Sequence, residues 1–140
     1  MREFFSNCEL DTEKIGANLA KECSDGDYLA LYGEMGSGKT VFMRGFVGEL
    51  VPLARVSSPT YAILNVYEGE NICVNHFDMY RITSEDDLYS TGYEDVIKKG
   101  ITVCEWSENI EDSLPCSYLK VVFEKLDEGK RKITVERINL

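Results

Sequence analysis

The sequence predicts an α/β fold in which helices flank a mixed, mainly parallel central sheet that ends in a C-terminal antiparallel hairpin. Two short, unbroken apolar runs, at 28–32 and 101–104, predict the parallel part, because such strands are normally covered on both faces. Alternating apolar and polar residues at 118–126 and 131–138 predict the hairpin. No Gly/Ser-rich linker or repeat interrupts the chain, so we expect a single domain over residues 1–140.

The remaining elements follow from apolar periodicity and from turn residues. Asp11 or Thr12 is expected to cap a first helix, in which apolar residues recur every four positions up to Cys23. The other elements that we predict are a second helix at 41–50, strands at 61–67 and 72–77, and an acidic, mostly helical connection at 84–99.

Composition excludes several classes of function. With 25 acidic and 15 basic residues the formal net charge is −10, and no basic cluster offsets it, so we expect no DNA binding. Five cysteines without a Cys-x-x-Cys pair argue against both a disulfide framework and a zinc site. No apolar run approaches the roughly 20 residues of a membrane helix, and the start lacks a signal-peptide core. We therefore expect a cytoplasmic protein with no membrane partner.

The strongest signal is a glycine-rich segment at residues 33–40, called the glycine loop below. It matches the pattern G-x-x-x-x-G-K-[ST] at every fixed position, with a predicted strand before it and a predicted helix after it. That context predicts a fold of the P-loop NTPase type, in which the loop binds the phosphates of a nucleotide. The residues that we expect to contact the nucleotide are Gly33, Glu34, Met35, Gly36, Ser37, Gly38, Lys39 and Thr40.

Phosphate binding explains why the glycine loop contains these residue types. The glycines allow positive φ, so that consecutive N–H groups turn towards an anion at the positive end of a helix. The Lys39 side chain would place a charge on the β- and γ-phosphates, and the Thr40 hydroxyl would hold Mg²⁺. The guanine-reading motif Asn-Lys-x-Asp does not occur in the sequence, so ATP with Mg²⁺ is the expected ligand.

A magnesium site also needs a carboxylate, usually at the carboxyl end of a buried strand. Asp78 and Glu105 each follow a strand-like run. The run before Glu105 resembles a central strand more closely, so we expect Glu105 to bind the metal directly or through water. Asp78 is then expected to orient or polarise the attacking water. The metal ligands predicted from the sequence are thus Thr40 and Glu105.

Thr60 completes the predicted catalytic set, which consists of Asp78, Lys39 and Thr60. It lies in a Ser-Ser-Pro-Thr-Tyr segment one helix after the glycine loop, where nucleoside triphosphatases commonly sense the γ-phosphate. The single histidine, His76, is expected to be structural. Trp106 either stacks near the site or fills the core, and the sequence leaves both readings open.

Taken together and in order, four segments resemble those of the TsaE (YjeE) family of bacterial ATPases that act in the threonylcarbamoyladenosine modification of tRNA. They are the glycine loop, Ser-Ser-Pro-Thr-Tyr, His-Phe-Asp-Met-Tyr-Arg from His76, and Glu105-Trp106. The resemblance implies that Asp78 is needed for hydrolysis and that Glu105 completes the Mg²⁺ site. It also implies partners, TsaB and TsaD, and contact with tRNA only indirectly through their complex.

Two other functions remain open at this stage, a small-molecule kinase and a nucleotide-dependent regulatory binding module. A kinase needs a lid and an acceptor pocket, for which 140 residues leave little room. No internal arginine finger is evident either, so hydrolysis is expected to be weak until a partner completes the site.

Overall fold

A computed structural model describes residues 1–34, 36–56 and 63–139. In chain order, the helices and strands are β1 (Arg2–Ser6), α1 (Glu9–Ala20), β2 (Tyr28–Tyr32), α2 (Lys39–Leu50), β3 (Leu64–Glu68), β4 (Cys73–Asp78), α3 (Glu85–Tyr89), α4 (Tyr93–Val96), β5 (Ile101–Glu105), a 3₁₀ helix (Ser107–Ser113), β6 (Ser117–Asp127) and β7 (Lys130–Asn139).

The strands form one seven-stranded mixed sheet in the order β1-β7-β6-β2-β5-β4-β3. The four central strands, β6, β2, β5 and β4, pair in parallel, whereas the β1–β7, β6–β7 and β3–β4 pairs are antiparallel. The α/β class and the flanking helices agree with the prediction. The sheet is only partly parallel, because both of its edges are closed by antiparallel strands.

Alternation of side chains along the strands separates two apolar layers. In β2, Leu29 and Leu31 pack in one core with α1 and α2, whereas Tyr28 and Ala30 pack in another core with α3 and α4. Both faces of the central strands are therefore covered, which explains why β2 has an unbroken apolar sequence.

Helix α2 is held close to the sheet and to α1. A Cβ added at Gly45 would collide with the backbone of Glu13 in α1, so the two helices meet at backbone distance. Phe42 and Phe46 are fully buried on the opposite side, against the strands. The start of α2, which follows the glycine loop, is thereby fixed relative to the carboxyl ends of the central strands.

Helix α1 begins earlier than the sequence suggests. Its N-cap is Cys8, whose side chain makes no capping bond. Thr12 is buried instead and hydrogen-bonds to the Ser6 hydroxyl, and Asp11 accepts a hydrogen bond from the backbone N–H of Asn7. The predicted cap at Asp11 or Thr12 is therefore wrong, because these side chains fasten the helix to the preceding segment. Within the described residues, no helix combines the length and the hydropathy that crossing a bilayer requires.

Candidate functional site

The glycine loop joins the carboxyl end of β2 to the start of α2. Gly36 and Gly38 have φ values of 79° and 105°, which only glycine adopts without strain. Gly38 is the N-cap residue of α2, so the unpaired N–H groups of the first helical turn open towards the loop. Such an arrangement of backbone donors at a helix N-terminus is suited to an anion.

Lys39 is the first residue of α2 and its side chain turns back over the loop. Its ammonium group donates a hydrogen bond of 2.6 Å to the Gly33 carbonyl and lies 4.4 Å from the centre of the Trp106 ring. The residue is only 6% exposed. A buried ammonium held by one carbonyl and an aromatic face retains unused donors, so it remains available to an anionic ligand.

Two carboxylates lie at the ends of the neighbouring strands β4 and β5. In the parallel register, Asp78 pairs with Glu105, and the backbone N–H of Met79 donates to the Glu105 carbonyl at 3.0 Å. Both side chains lie on the α2 face of the sheet, because they alternate in step with Val74 and Val103 of that core. The sequence prediction that these two carboxylates meet at one sheet edge is consistent with this register.

Glu105 is buried and paired with the single histidine. Nε2 of His76 lies 2.5 Å from Oε2 of Glu105, and both residues are at most 4% exposed. This contact fixes the orientation of the Glu105 side chain. The ring of Tyr67 stacks at 6.5 Å on the other side of His76. The sequence treats His76 as structural; the structure adds that it directly positions Glu105.

Asp78 is half-buried, and burial raises the pKa of its carboxyl group above the ordinary value of 3.8. A backbone hydrogen bond from Tyr80 opposes this rise, the nearby charge of Glu105 adds to it, and the charges of His76 and Lys39 oppose it. These influences on Asp78 indicate that Glu105, His76 and Lys39 lie near its carboxyl group. A carboxylate with a raised pKa is a better proton acceptor than an exposed one.

Trp106 follows Glu105 and resolves the alternatives that the sequence leaves open. Its backbone is left-handed (φ 58°, ψ 42°), which is rare for a large residue and typical of functional sites. This conformation directs the ring over the Lys39 ammonium and to within 5.0 Å of the Tyr80 ring. Trp106 therefore stacks at the site as well as packing against the core.

Asn109 ties the two carboxylate-bearing segments together. Its side-chain amide donates to the carbonyls of Met79 and Tyr80, at 2.8 and 3.3 Å. Residues 78–80 and 105–109 thus form one cross-linked unit, called the carboxylate wall below. Sequence analysis does not identify Asn109, because nothing in a single asparagine after Trp106 indicates which loop it reaches.

Arg131, near the start of β7, is a second residue that sequence analysis missed. Its Nη2 donates a hydrogen bond of 3.1 Å to the Gly36 carbonyl in the glycine loop. Arg44 lies on α2, and Arg55 and Arg81 lie outside the helices and strands; none of the contacts described for the site involves these three arginines. An alignment of strands rather than a motif would be needed to find Arg131, since the two residues are 95 positions apart.

Buried polar atoms without partners gather at this site. Among the described residues there are three, and they are Ser37 Oγ, His76 Nδ1 and Arg131 Nε. One lies in the glycine loop, one beside it, and one behind Glu105. Unsatisfied buried groups are rare and costly, about 1–3 kcal/mol each, so their concentration at one place indicates a site that a ligand completes.

The predicted site residues divide into those that the structure brings together and those that it does not describe. The described members of the glycine loop, Lys39, Asp78 and Glu105 surround one region, and Thr40 is the second residue of α2. Met35 and Thr60 lie outside the described residues. In the described ranges, no group of three His, Cys, Asp or Glu side chains forms a ready-made metal site.

Comparisons with known proteins identify the family. The family model "Threonylcarbamoyl adenosine biosynthesis protein TsaE" matches residues 6–133. The tRNA threonylcarbamoyladenosine biosynthesis protein TsaE of Rickettsia felis is 34% identical to this chain, over 92% of this chain and 76% of that protein. The protein of the same name from Rickettsia conorii is 33% identical, over 92% of this chain and 74% of that protein. The crystal structure of Bacillus subtilis YdiB superimposes with a TM-score of 0.76 and 28% identity, over 96% of this chain and 83% of that one. The chain therefore belongs to the TsaE family of threonylcarbamoyl adenosine biosynthesis proteins.

Proposed function

We propose that this protein is a P-loop ATPase that binds Mg²⁺·ATP in the glycine loop and hydrolyses it in the service of tRNA threonylcarbamoyladenosine biosynthesis. One observation supports this most strongly. The Lys39 ammonium and two carboxylates, Asp78 and Glu105, converge from α2, β4 and β5 at the carboxyl end of the parallel strands. This is the edge at which α/β sheets bind their ligands.

Each side chain has a distinct proposed role. The backbone donors of the glycine loop and Lys39 bind the phosphates, with most of the binding coming from groups fixed before the ligand arrives. Asp78 accepts a hydrogen bond from the attacking water and orients it, a task to which its raised pKa is suited. Thr60, which lies outside the described residues, is proposed as the sensor of the γ-phosphate.

The donor set fits Mg²⁺. The hydroxyl of Thr40 and the carboxylate of Glu105 are hard oxygen donors, and Mg²⁺ in nucleotide sites needs only one or two protein oxygens besides phosphate and water. The contact with His76 orients the Glu105 carboxyl group for this purpose. When bound, the ion would neutralise negative charge that develops on the phosphates.

The partners are proposed to be TsaB and TsaD, with tRNA contacted only through their complex. The net charge of −10 disfavours direct binding to RNA and suits a protein that docks on a less acidic partner. In the described part of the site, Lys39 is the one cationic side chain near the carboxylates. We therefore propose that hydrolysis is weak when the protein is alone and is stimulated by the partner complex. The proposed compartment is the cytoplasm.

The test is a phosphate-release assay with Mg²⁺·ATP, run with the protein alone and with purified TsaB and TsaD added. We expect slow release alone and a rise of at least tenfold with both partners. As a control, the same titration is repeated with Lys39→Ala, which should show no stimulation. Transfer of phosphate to a metabolite from a cell extract would instead indicate a kinase, and nucleotide binding without turnover in every mixture would indicate a regulatory module.

A further inference from the structure

Among the residues that the structure describes, Arg131 is the one basic side chain outside the glycine loop that bonds to the loop itself. Its backbone lies in β7, paired with Ser6 of β1 on one side and with Lys125 of β6 on the other. The guanidinium leaves the sheet and donates from Nη2 to the Gly36 carbonyl at 3.1 Å. A residue of the β6–β7 pair is thereby bonded to the loop that the proposed function assigns to phosphate binding.

The guanidinium is oriented by its own turn before it reaches the loop. Nη1 donates to the carbonyls of Asp127 and Lys130, at 3.3 and 3.0 Å. Because a guanidinium is planar and rigid, fixing Nη1 also fixes the direction in which Nη2 points. Arg131 is therefore a preorganised donor and the glycine loop is the partner that adapts to it.

The bond acts on the peptide group that closes the loop. The Gly36 carbonyl and the Ser37 N–H belong to one planar trans peptide and point in opposite directions. The Ser37 N–H donates to the Glu34 carbonyl at 3.1 Å, while Arg131 holds the carbonyl from outside. The peptide between Gly36 and Ser37 is thus held at both ends, which restricts its rotation.

The same side chain also borders the start of α2. A Cβ placed on Gly38 would lie 3.8 Å from both Cγ and Nε of Arg131. Nε is buried without a hydrogen-bond partner. Unpartnered buried donors are rare in folded proteins, so this atom marks the contact between Arg131 and the loop as part of the site. Its charge also adds to that of Lys39 beside the proposed triphosphate, in a protein of strongly negative net charge.

We propose that Arg131 is a positioning residue of the nucleotide site, which holds the glycine loop in its phosphate-binding conformation through the Gly36 carbonyl. On this proposal, the β6–β7 pair supports the nucleotide site through Arg131. The proposal deepens the proposed function and rests on it only for the identity of the ligand, since the contact itself joins two residues of this chain.

The experiment compares Arg131→Gln, Arg131→Lys and the control Lys130→Gln. Lys130 is the exposed neighbour, and its substitution removes the same charge without touching the Gly36 carbonyl. Hydrogen–deuterium exchange of the peptide covering residues 33–40 is measured without nucleotide. Calorimetry then gives the dissociation constant for Mg²⁺·ATP, and phosphate release at saturating ATP gives turnover.

We expect Arg131→Gln to speed exchange in residues 33–40 and to weaken Mg²⁺·ATP binding by about tenfold, the usual effect of losing one charge-assisted hydrogen bond. Turnover at saturation should stay within about twofold, since the hydrolytic groups are on the carboxylate wall. Arg131→Lys should recover part of the affinity, because an ammonium can still donate once to Gly36. Lys130→Gln should match the wild type.

Unchanged exchange in Arg131→Gln overturns the proposal, as does an affinity loss that Lys130→Gln reproduces, which would reflect charge alone. If Arg131→Gln does not fold, Arg131→Lys decides by the same two measurements. A wild-type protein that binds no Mg²⁺·ATP would contradict the proposed function. In that case, hydrogen–deuterium exchange without nucleotide would still test whether Arg131 holds the glycine loop in place.

Discussion

The glycine loop and the carboxylate wall face the same site but are built in opposite ways. The glycine loop presents mainly backbone groups, and the positive φ values of Gly36 and Gly38 set the directions in which these groups point. In the wall, side chains make the contacts: His76 bonds to Glu105, and Asn109 to the carbonyls after Asp78. The difference teaches that, on the proposed function, the loop would select its ligand by shape and charge, whereas the wall would set the chemistry through the identity of a few side chains.

The largest expected effect comes from Lys39, the one basic side chain of the glycine loop. We predict that Lys39→Ala weakens Mg²⁺·ATP binding about 100-fold or more, because it removes the ammonium from the phosphates. Calorimetry measures the dissociation constant. Lys98→Ala, in which an exposed ammonium 3.5 Å from Asp95 is lost, serves as the matched control. Binding within about threefold of the wild type would show that backbone groups alone hold the nucleotide.

A substitution in the carboxylate wall should change the rate of hydrolysis rather than the affinity for nucleotide. We predict that Asp78→Asn keeps the affinity for Mg²⁺·ATP within about threefold but lowers hydrolysis about 100-fold, the usual loss when a positioned proton acceptor is removed. Single-turnover phosphate release with TsaB and TsaD measures this step. The exposed carboxylate Asp95 provides the control Asp95→Asn. Hydrolysis at the wild-type rate would remove Asp78 from the catalytic set.

A smaller effect is expected where the two regions share a metal ion. Glu105→Gln retains an oxygen that can accept from His76 but loses the charge, so we predict an about tenfold rise in the Mg²⁺ concentration for half-maximal nucleotide binding. Binding measured in EDTA should hardly change. Equal losses with and without Mg²⁺ would instead assign Glu105 a purely structural role.

The smallest effect is on stability and follows from the pKa of Asp78. Because that pKa is raised, the folded protein binds the proton more tightly than the unfolded chain. The resulting stabilisation is fully present below about pH 3.8 and is lost as the pH rises through the raised value. The asparagine side chain of Asp78→Asn is uncharged at every pH. In EDTA, the Tm of this variant should therefore match that of the wild type at low pH and exceed it by about 1–2 °C at pH 7. The gain is modest because the group is half-exposed. Thermal unfolding followed by circular dichroism checks this, and a variant with a lower Tm at pH 7 would contradict it.

Local patterns predict the parts of this molecule that are built from neighbours in the sequence. The residue range Tyr28–Tyr32 matches the predicted strand at both ends, since apolar runs bounded by Asp and Gly leave little freedom. The positive φ values at Gly36 and Gly38 are similarly predictable, because the pattern G-x-x-x-x-G-K-[ST] has glycine at fixed spacing. Placing Asp78 and Glu105 at strand ends also needs only the boundaries of β4 and β5.

The rest of the site depends on strand order, which no local pattern records. His76 meets Glu105 because β4 lies beside β5, and Arg131 reaches Gly36 because β7 folds back next to β6. Asn109 acts across two loops that are distant in sequence. The sheet is also less parallel than predicted, because β1 pairs with the last strand of the chain, a choice made by long-range packing.

The left-handed backbone at Trp106 has a practical consequence. The chain contains a single tryptophan, and its indole ring lies 4.4 Å from the ammonium that is proposed to grip the triphosphate. Any movement of that ammonium changes the electric field across the ring and hence the intensity and colour of its emission. The protein therefore carries a built-in optical probe of nucleotide arrival, readable by stopped-flow fluorimetry without a label.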